Sequence, residues 1–203
     1  MPHAPKKQIA AIVLAAGTSS RMGHNKLLIE LYGERLIRHV ARAALASEAR
    51  PLLVVTGNEA HRMEQALSGL DLAIVHNPDF RGGLSTSLRA GVGVLPPTCD
   101  GALILLGDMP AITSACLDRL IAAFAPEVGR AICVASHGGK RGNPVLFARR
   151  FFPNLLETKG DLGARWIVAQ NSDVVTEVEA DDDGPLVDID TPAALAAFLA
   201  RKP

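Results

Sequence analysis

Short apolar runs alternate along the chain with segments in which apolar residues recur at helical spacing. The runs rich in β-branched and aliphatic residues are IAAIVLAA, PLLVVTG, LAIVHN, GALILLGD and AICVAS, and they are typical of β-strands. The amphipathic segment RLIRHVARAALAS has an apolar face formed by Leu36, Ile37, Val40, Ala41 and Ala44. This alternation predicts an α/β fold, a mostly parallel central sheet with helices on both faces.

The pattern changes after about residue 137, where a Gly-rich turn leads into the short strand NPVLF. Two helical segments, RRFFPNLLE and ARWIVAQN, and a last strand, VVTEVEA, follow. The chain closes on a helix that starts at Pro192 with Thr191 as its N-cap. We interpret residues 1–203 as a single domain in which 137–203 elaborate the alternating part, 9–136.

Composition narrows the class of partner. The 21 basic residues balance the 21 acidic ones, so no overall positive field favours nucleic acid or an anionic membrane. We find no apolar run of membrane-spanning length and no secretory signal in MPHAPKKQIA. We therefore expect a cytoplasmic protein that binds small molecules. Cys99, Cys116 and Cys133 match neither a zinc site nor a disulfide framework, which predicts buried, inert thiols.

The stretch LAAGTSSRMGHNK, residues 14–26, places glycines, hydroxyls and two cations at the end of the first predicted strand. The P-loop pattern fails because Gly17 and Gly23 are one residue too far apart and Lys26 comes too late. The dinucleotide fingerprint fails because it needs a third glycine. What remains is a longer loop whose N–H groups wrap an anion such as a triphosphate, with Arg21 and Lys26 aimed at it. The alternative is a surface loop with solvated cations.

A carboxylate follows another predicted strand, in ALILLGDMP. Asp108 emerges at the carboxyl edge of the sheet, where open α/β folds bind ligands. The first strand delivers its glycine loop to the same edge, so Asp108 lies near any phosphate held by Arg21 and Lys26. A carboxylate beside phosphates needs a cation between them, which predicts bound Mg²⁺.

The segment VDIDTP offers two more oxygen ligands for that metal. Residues two apart in an extended segment face the same side, so Asp188 and Asp190 are expected to point together. The alternative is that Asp190 only supports the start of the last helix and Asp188 is a solvated residue.

Several motifs, taken in order, resemble one family. They are LAAGTSSRMGHNKLL, GLSTSLRAG, LLGDMP, RGNPVLF, KGDLGAR and VDIDTP, and the resemblance to the molybdenum cofactor cytidylyltransferases spans about residues 9–199. It implies a Rossmann-like, three-layer nucleotidyltransferase fold that uses Mg²⁺ or Mn²⁺. It also implies transfer of CMP from CTP to the terminal phosphate of the molybdopterin cofactor, with release of pyrophosphate. CTP and the cofactor are the implied substrates, and a recipient molybdoenzyme or its chaperone is the implied protein partner.

The resemblance also assigns residues. Arg21 and Lys26 are implied to hold the triphosphate, with Asp108 on the metal. In some relatives the equivalents of Asp188 and Asp190 also bind it. The implied nucleotide-binding residues are Leu14, Ala15, Ala16, Gly17, Ser19, Ser20, Arg21, Met22, Gly23, Lys26, Gly83, Ser85 and Ser87. Residues 9–136 become a nucleotide-binding half, and residues 137–203 an acceptor-facing region with the C-terminal helix.

The resemblance also bears on which base the nucleotide carries, because this chain differs from the guanylyltransferase branch at two places. The guanylyltransferase branch has Gly-Gly at the start of the loop and Asp before the Lys, whereas this chain has Ala16-Gly17 and Asn25-Lys26. The sequence therefore resembles the CTP pattern, and a methyl group at Ala16 is expected to narrow the pocket.

The segment GGLSTS, residues 82–87, is interpreted in two ways. Ser85 and Ser87 supply hydroxyls to the cytosine edge, or Ser85 simply caps the helix that follows. Both interpretations place this segment at the start of that helix.

A phosphate nucleophile is already anionic, so no side chain is needed to remove its proton. It does need cations, and the downstream region supplies them. We expect Arg141, Asn143 and Arg165 to face the acceptor. The competing interpretations are a nucleotidyltransferase that uses GTP or another phosphorylated acceptor, and a carrier that holds the cofactor without turnover.

Overall fold

The computed structural model describes residues 7–18, 22–160 and 164–201. The strands are β1 (Ile9–Ala15), β2 (Glu30–Leu31), β3 (Glu34–Arg35), β4 (Leu52–Thr56), β5 (Ala73–His76), β6 (Gly101–Leu106), β7 (Ile132–His137), β8 (Lys140–Ala148) and β9 (Val175–Glu179). The α-helices are α1 (Leu36–Ala46), α2 (Ala60–Leu67), α3 (Leu84–Gly93), α4 (Ser114–Ala123), α5 (Phe152–Glu157), α6 (Arg165–Gln170) and α7 (Pro192–Leu199). In this part of the chain no helix is long and apolar enough to cross a membrane.

One sheet of seven strands organises the described residues, in the order β5-β4-β1-β6-β8-β7-β9. β1 lies inside the sheet between β4 and β6, and all seven of its residues are buried. Because successive side chains of a strand point to opposite faces, helices must cover both faces of β1. The apolar face predicted for α1 is fully buried. The predicted α/β class, with a mostly parallel sheet between helices, is confirmed.

β8 breaks the parallel arrangement. It pairs antiparallel with β6 on one side and with β7 on the other, whereas β1 is parallel to β4 and β6, and β7 is parallel to β9. β7 and β8 are joined by the tight turn of Gly138 and Gly139, which both have positive φ angles. The start of β8 therefore lies beside the end of β6, at the carboxyl edge of the sheet.

The start of α3 differs from the prediction that Ser85 caps it. The N-cap is Gly83, whose φ of 92° and ψ of −179° suit only glycine, and the helix begins at Leu84. Ser85 lies inside the first turn and is buried, and its N–H donates to the carbonyl of Gly160 at 3.2 Å. The capping interpretation of Ser85 is therefore wrong. The cap predicted at Thr191 is confirmed, because its hydroxyl accepts from Ala194 N–H at 3.1 Å.

Gly91 lets α3 approach the sheet closely. A Cβ atom there would lie 2.6 Å from Ile12 Cγ2 and 3.0 Å from Val55 Cγ2. We expect Gly91→Ala to lower the free energy of unfolding by about 1–3 kcal/mol, because overpacking outweighs the helix propensity of alanine. Urea unfolding measures the change. Gly93→Ala is the matched control, since its nearest neighbour is Leu156 Cδ2 at 3.9 Å, and equal stability of the two variants would contradict the packing argument.

The three cysteines are free and buried, as the sequence predicts. Burial raises the pKa of both Cys116 and Cys133 to about 11, and burial also raises the pKa of Cys99. A raised pKa keeps a thiol protonated at about pH 8, and the thiolate is the reactive form. We therefore expect negligible reaction of the native protein with Ellman's reagent and complete reaction in denaturant. A rapidly reacting thiol in the native protein would contradict this expectation.

Candidate functional site at the carboxyl edge of the sheet

The glycine loop and Asp108 emerge side by side from the sheet. Leu14 of β1 is paired in parallel with Leu106 of β6, and Gly107 N–H donates to the Leu14 carbonyl at 3.0 Å. A Cβ atom at Gly107 would lie 3.0 Å from that carbonyl oxygen, so a glycine at this position lets the segments that follow β1 and β6 approach each other closely. The predicted meeting of the loop and Asp108 at one edge is thus present in the structure.

Lys26 joins two carboxylates that come from distant parts of the chain. Its Nζ lies 2.5 Å from Oδ2 of Asp108 and also forms an ion pair with Oδ1 of Asp190. Asp190 reaches this position because Ile189 is fully buried and its N–H donates to the Asp108 carbonyl at 2.9 Å. The residues Lys26, Asp108 and Asp190 therefore form a compact charged group at the edge of the sheet.

Asn25 fixes the backbone from which Lys26 projects. Lys26 opens a short 3₁₀ turn, Lys26–Leu28, and the Asn25 side chain accepts a hydrogen bond from Leu27 N–H at 3.2 Å. Asn25 is itself buried. An asparagine cap of this kind holds the start of the turn in place, so the Lys26 side chain has a defined origin.

The electrostatics of the charged group are dominated by burial and by mutual attraction. Burial lowers the pKa of Lys26, but the charges and hydrogen bonds of Asp108 and Asp190 outweigh it, so the pKa lies above its ordinary value. Burial raises the pKa of Asp108, and the attraction of Lys26 only partly offsets this. Lys26 therefore stays an ammonium at neutral pH, and additional positive charge near Asp108 would stabilise its ionised form.

One oxygen of Asp108 fits a metal ion. Its Oδ1 is buried, and no hydrogen-bond partner is present for it among the residues that the structure describes. An unpaired buried acceptor costs about 1–3 kcal/mol, more when it is charged. Carboxylate oxygens from Asp108 and Asp190 are the ligands that Mg²⁺ and Mn²⁺ accept. The pair therefore fits a divalent cation, which Asp108 and Asp190 would hold.

Asp188 does not join this pair. It is exposed, and residues 187–190 form no strand, so the structure lacks the strand from which Asp188 was placed beside Asp190. Within residues 7–18, 22–160 and 164–201 no group of three or more His, Cys, Asp or Glu side chains is placed to hold a metal. The predicted set of three carboxylates is thus reduced to two in this structure.

A cavity of about 570 Å³, termed here the loop cavity, lies between the glycine loop and the start of α3. Predicted nucleotide-binding residues that line it are Leu14, Ala16, Gly17, Lys26, Gly83 and Ser87, and Asp108 also lines it. Four other predicted residues do not line it: Ala15, Met22, Gly23 and Ser85. Of these, Ala15, Met22 and Ser85 are buried. Ser19, Ser20 and Arg21 lie outside the described residues, so their predicted roles stay predictions.

A second cavity, termed here the hairpin cavity, has a volume of about 560 Å³. All three residues predicted to face the acceptor, Arg141, Asn143 and Arg165, line it. Its floor is apolar, and it shares the wall residues Leu14, Leu84 and Leu106 with the loop cavity. Nε of Arg141 is held by Oε1 of Glu177 at 2.8 Å. The two cavities therefore adjoin at the edge of the sheet.

Residues 11–174 match the family model of the MobA-like NTP transferase domain. The chain belongs to this family. Membership makes the protein a nucleotidyltransferase, as the sequence resemblance implies, and nucleoside triphosphates are the substrates for which the family is named.

Proteins similar to this chain are named for different functions. Purine catabolism protein PucB of Bacillus subtilis is 34% identical over 198 residues, which cover 91% of this chain and 92% of PucB. The molybdenum cofactor cytidylyltransferase of Escherichia coli is 28% identical over 186 residues, covering 91% and 92% of the two chains. The crystal structure of Rv0371c from Mycobacterium tuberculosis in complex with manganese superposes with a TM-score of 0.80 at 26% identity, over 97% and 100% of the chains.

Two residues that line the loop cavity were not predicted from the sequence. Phe80 and Arg81 line it, with the Arg81 guanidinium 5.7 Å from the centre of the Phe80 ring. The available signal was the position of Arg81 directly before the GGLSTS segment, but in this part of the sequence we assigned only residues from that segment to the site. Arg81 adds a cation to a cavity that Lys26 also lines.

Proposed function

We propose that this enzyme transfers CMP from CTP to the terminal phosphate of the molybdopterin form of the molybdenum cofactor and releases pyrophosphate. The observation that carries the proposal is the meeting of the two cavities at Leu14, Leu84 and Leu106. One cavity has Lys26 and Asp108 for a nucleoside triphosphate. The other has an apolar floor for a flat heterocycle and two guanidinium groups for its phosphate. The 28% identity to the E. coli cytidylyltransferase supports this choice of substrates.

The surroundings of Ala16 support a pyrimidine over a purine. A Cβ atom at Gly57 would lie 2.5 Å from Phe80 Cβ and 2.8 Å from Ala16 Cβ, so this wall of the loop cavity is tightly packed. The methyl group of Ala16 belongs to this wall, and we expect a glycine there to loosen the wall and admit a larger base. CTP is therefore the proposed donor.

Asp108 and Asp190 are the proposed ligands of a divalent cation, Mg²⁺ or Mn²⁺. When bound, such an ion would neutralise charge on the triphosphate and on the departing pyrophosphate. The manganese complex of the related Rv0371c structure supports a metal in this enzyme. The feature of this chain that suits a metal ion is Oδ1 of Asp108, which is buried and has no hydrogen-bond partner among the described residues.

The chain's own residues mainly position two anions that repel each other. In the proposed reaction Lys26 and Arg81 hold the donor phosphates, together with Arg21, which lies outside the described residues. Arg141 and Arg165 orient the acceptor phosphate, which attacks the α-phosphorus of CTP while the bond to pyrophosphate breaks. The attacking oxygen is already ionised, so a general base is not required.

A different acceptor is the second candidate function. The 34% identity to PucB favours it, because that relative is named for purine catabolism. A carrier that binds the cofactor without turnover is the less suitable alternative, since Lys26, Asp108 and Asp190 would have no role in it.

Pyrophosphate release tests the proposal directly. We expect rapid release with CTP, Mg²⁺ and molybdenum cofactor together, and little with GTP. Ala16→Gly is expected to raise the rate with GTP relative to CTP. Faster release with GTP in the native enzyme would overturn the choice of base. Release only with another phosphorylated acceptor would overturn the choice of cofactor, and no release with any triphosphate would favour the carrier.

A further inference from the structure

Asn77 lies just beyond β5, outside the lining of the loop cavity, and is only 3% exposed. Its backbone N–H donates to the carbonyl of Thr56 at the end of β4, 2.8 Å away. Its side-chain Nδ2 contacts two hydroxyls in the first turn of α3, Thr86 Oγ1 at 2.8 Å and Ser87 Oγ at 3.1 Å. Asn77 therefore connects the edge of the sheet to the helix that borders the cavity.

The orientation of the Asn77 amide follows from its third contact. Asp79 N–H, 3.0 Å from Oδ1, can only donate, so the atom it meets must be the carbonyl oxygen of the amide. The other amide atom is then the NH₂ group, which can only donate. Both hydroxyls that it contacts are consequently acceptors in those bonds.

Each hydroxyl must therefore direct its own hydrogen elsewhere. Thr86 does so within the protein, because its hydroxyl donates to the Gly83 carbonyl at 2.9 Å. Ser87 is only 4% exposed and lines the loop cavity, and the described residues offer no acceptor for its hydrogen. A buried donor without a partner is costly, so an acceptor atom on a ligand in the loop cavity would stabilise this hydroxyl.

We propose that Asn77 is a positioning residue that fixes Ser87 as a hydrogen-bond donor to an acceptor atom of the bound nucleotide. The inference rests on the proposed function in that the cavity is assigned to a nucleotide. It deepens that function by giving the polarity of one contact: Ser87 donates, and the nucleotide accepts. Cytosine offers acceptors of this kind in its ring nitrogen and its carbonyl oxygen.

A double-mutant cycle on nucleotide affinity tests the proposal without turnover. Dissociation constants for CTP, UTP, GTP and ATP with Mg²⁺ are measured by isothermal titration calorimetry, and the nucleotide that binds most tightly is carried through the cycle. Ser87→Ala is expected to weaken binding about tenfold, the value of one buried hydrogen bond. Asn77→Asp is expected to weaken it by a similar factor, because the new carboxylate accepts the Ser87 hydrogen and withdraws it from the nucleotide.

The combined variant decides the outcome. If Asn77 acts through Ser87, Asn77→Asp has no further effect in the Ser87→Ala protein, so the double variant binds as weakly as either single one. Independent, multiplied losses would overturn the proposal. A preference for GTP would overturn the choice of donor base in the proposed function, yet the cycle would still judge the Asn77 inference.

Two further variants guard against a purely structural effect. Thr86→Val removes the other hydroxyl held by the same amide, and we expect it to lower the melting temperature while changing nucleotide affinity less than about twofold. A loss equal to that of Asn77→Asp would mean that Asn77 acts by holding the loop, which overturns the proposal. If the Asn77→Asp protein does not fold, Asn77→Ser replaces it in the cycle and is judged by the same absence of additivity.

Discussion

Replacing Asp108 with asparagine is expected to slow pyrophosphate release by on the order of a hundredfold to a thousandfold. The substitution keeps the shape of the side chain but removes one negative charge from the pair that holds Lys26 and that we propose binds the metal. Steady-state rates at saturating CTP, compared across Mg²⁺ and Mn²⁺ concentrations, measure the loss. Higher metal concentration should restore part of the activity, because the metal site is weakened and the nucleotide cavity is intact.

Two other aspartates make this result specific. Asp173→Asn, at an exposed residue just before β9, is the control and should leave the rate unchanged. Asp188→Asn distinguishes two from three metal-binding carboxylates: the structure predicts a small effect because Asp188 is exposed. A loss as large as that of Asp108→Asn would place Asp188 in the working site. An Asp108→Asn protein with full activity would remove the metal assignment.

Replacing Lys26 with methionine is expected to have two opposite effects. Turnover should fall by on the order of a hundredfold, because a cation aimed at the triphosphate is lost. Binding of Mn²⁺ to the nucleotide-free protein should become on the order of tenfold tighter, because the Lys26 ammonium no longer competes for Asp108 and Asp190. Titration of Mn²⁺ followed by electron paramagnetic resonance measures the second effect independently of activity.

The tighter metal binding is the informative part of that experiment. Lys140→Met, on the exposed start of β8, removes the same charge at a distance and should leave Mn²⁺ binding unchanged. Equal tightening in both variants would show only a general electrostatic effect. Weaker Mn²⁺ binding in Lys26→Met would mean that the lysine supports the carboxylates and does not compete with the ion.

Local patterns were sufficient to predict most of the sheet and α1. β1, β4, β5, β6 and β7 are the five apolar runs of the sequence, and the buried face of α1 follows from its period, so both depend on residues close together in the sequence. The cap at Thr191 followed by Pro192 is equally local. The direction of β8 was not predictable, because strand pairing depends on contacts between distant segments.

The candidate site was predictable only in part for the same reason. Asp108 was placed correctly because it ends a strand, but the pairing of Lys26 with Asp190 joins residues far apart in the sequence. Ser85 was assigned as a cap from its residue type, although the backbone of Gly83 decides where α3 begins. Asp188 was placed by assuming a strand, and residues 187–190 form none.

In the proposed function, the reversed direction of β8 separates the binding residues for the two substrates along the sequence. Because β8 runs against β6, a single hairpin brings Arg141 and Asn143 to the edge where Lys26 and Asp108 already lie. The loop cavity is lined from residues 14–108, whereas the polar lining of the hairpin cavity comes from residues 141–165. If the hairpin cavity binds the acceptor, as we propose, substitutions in residues 141–165 change the acceptor and leave the lining of the loop cavity unaltered. Such a layout lets acceptors diversify while one way of binding nucleotides is retained.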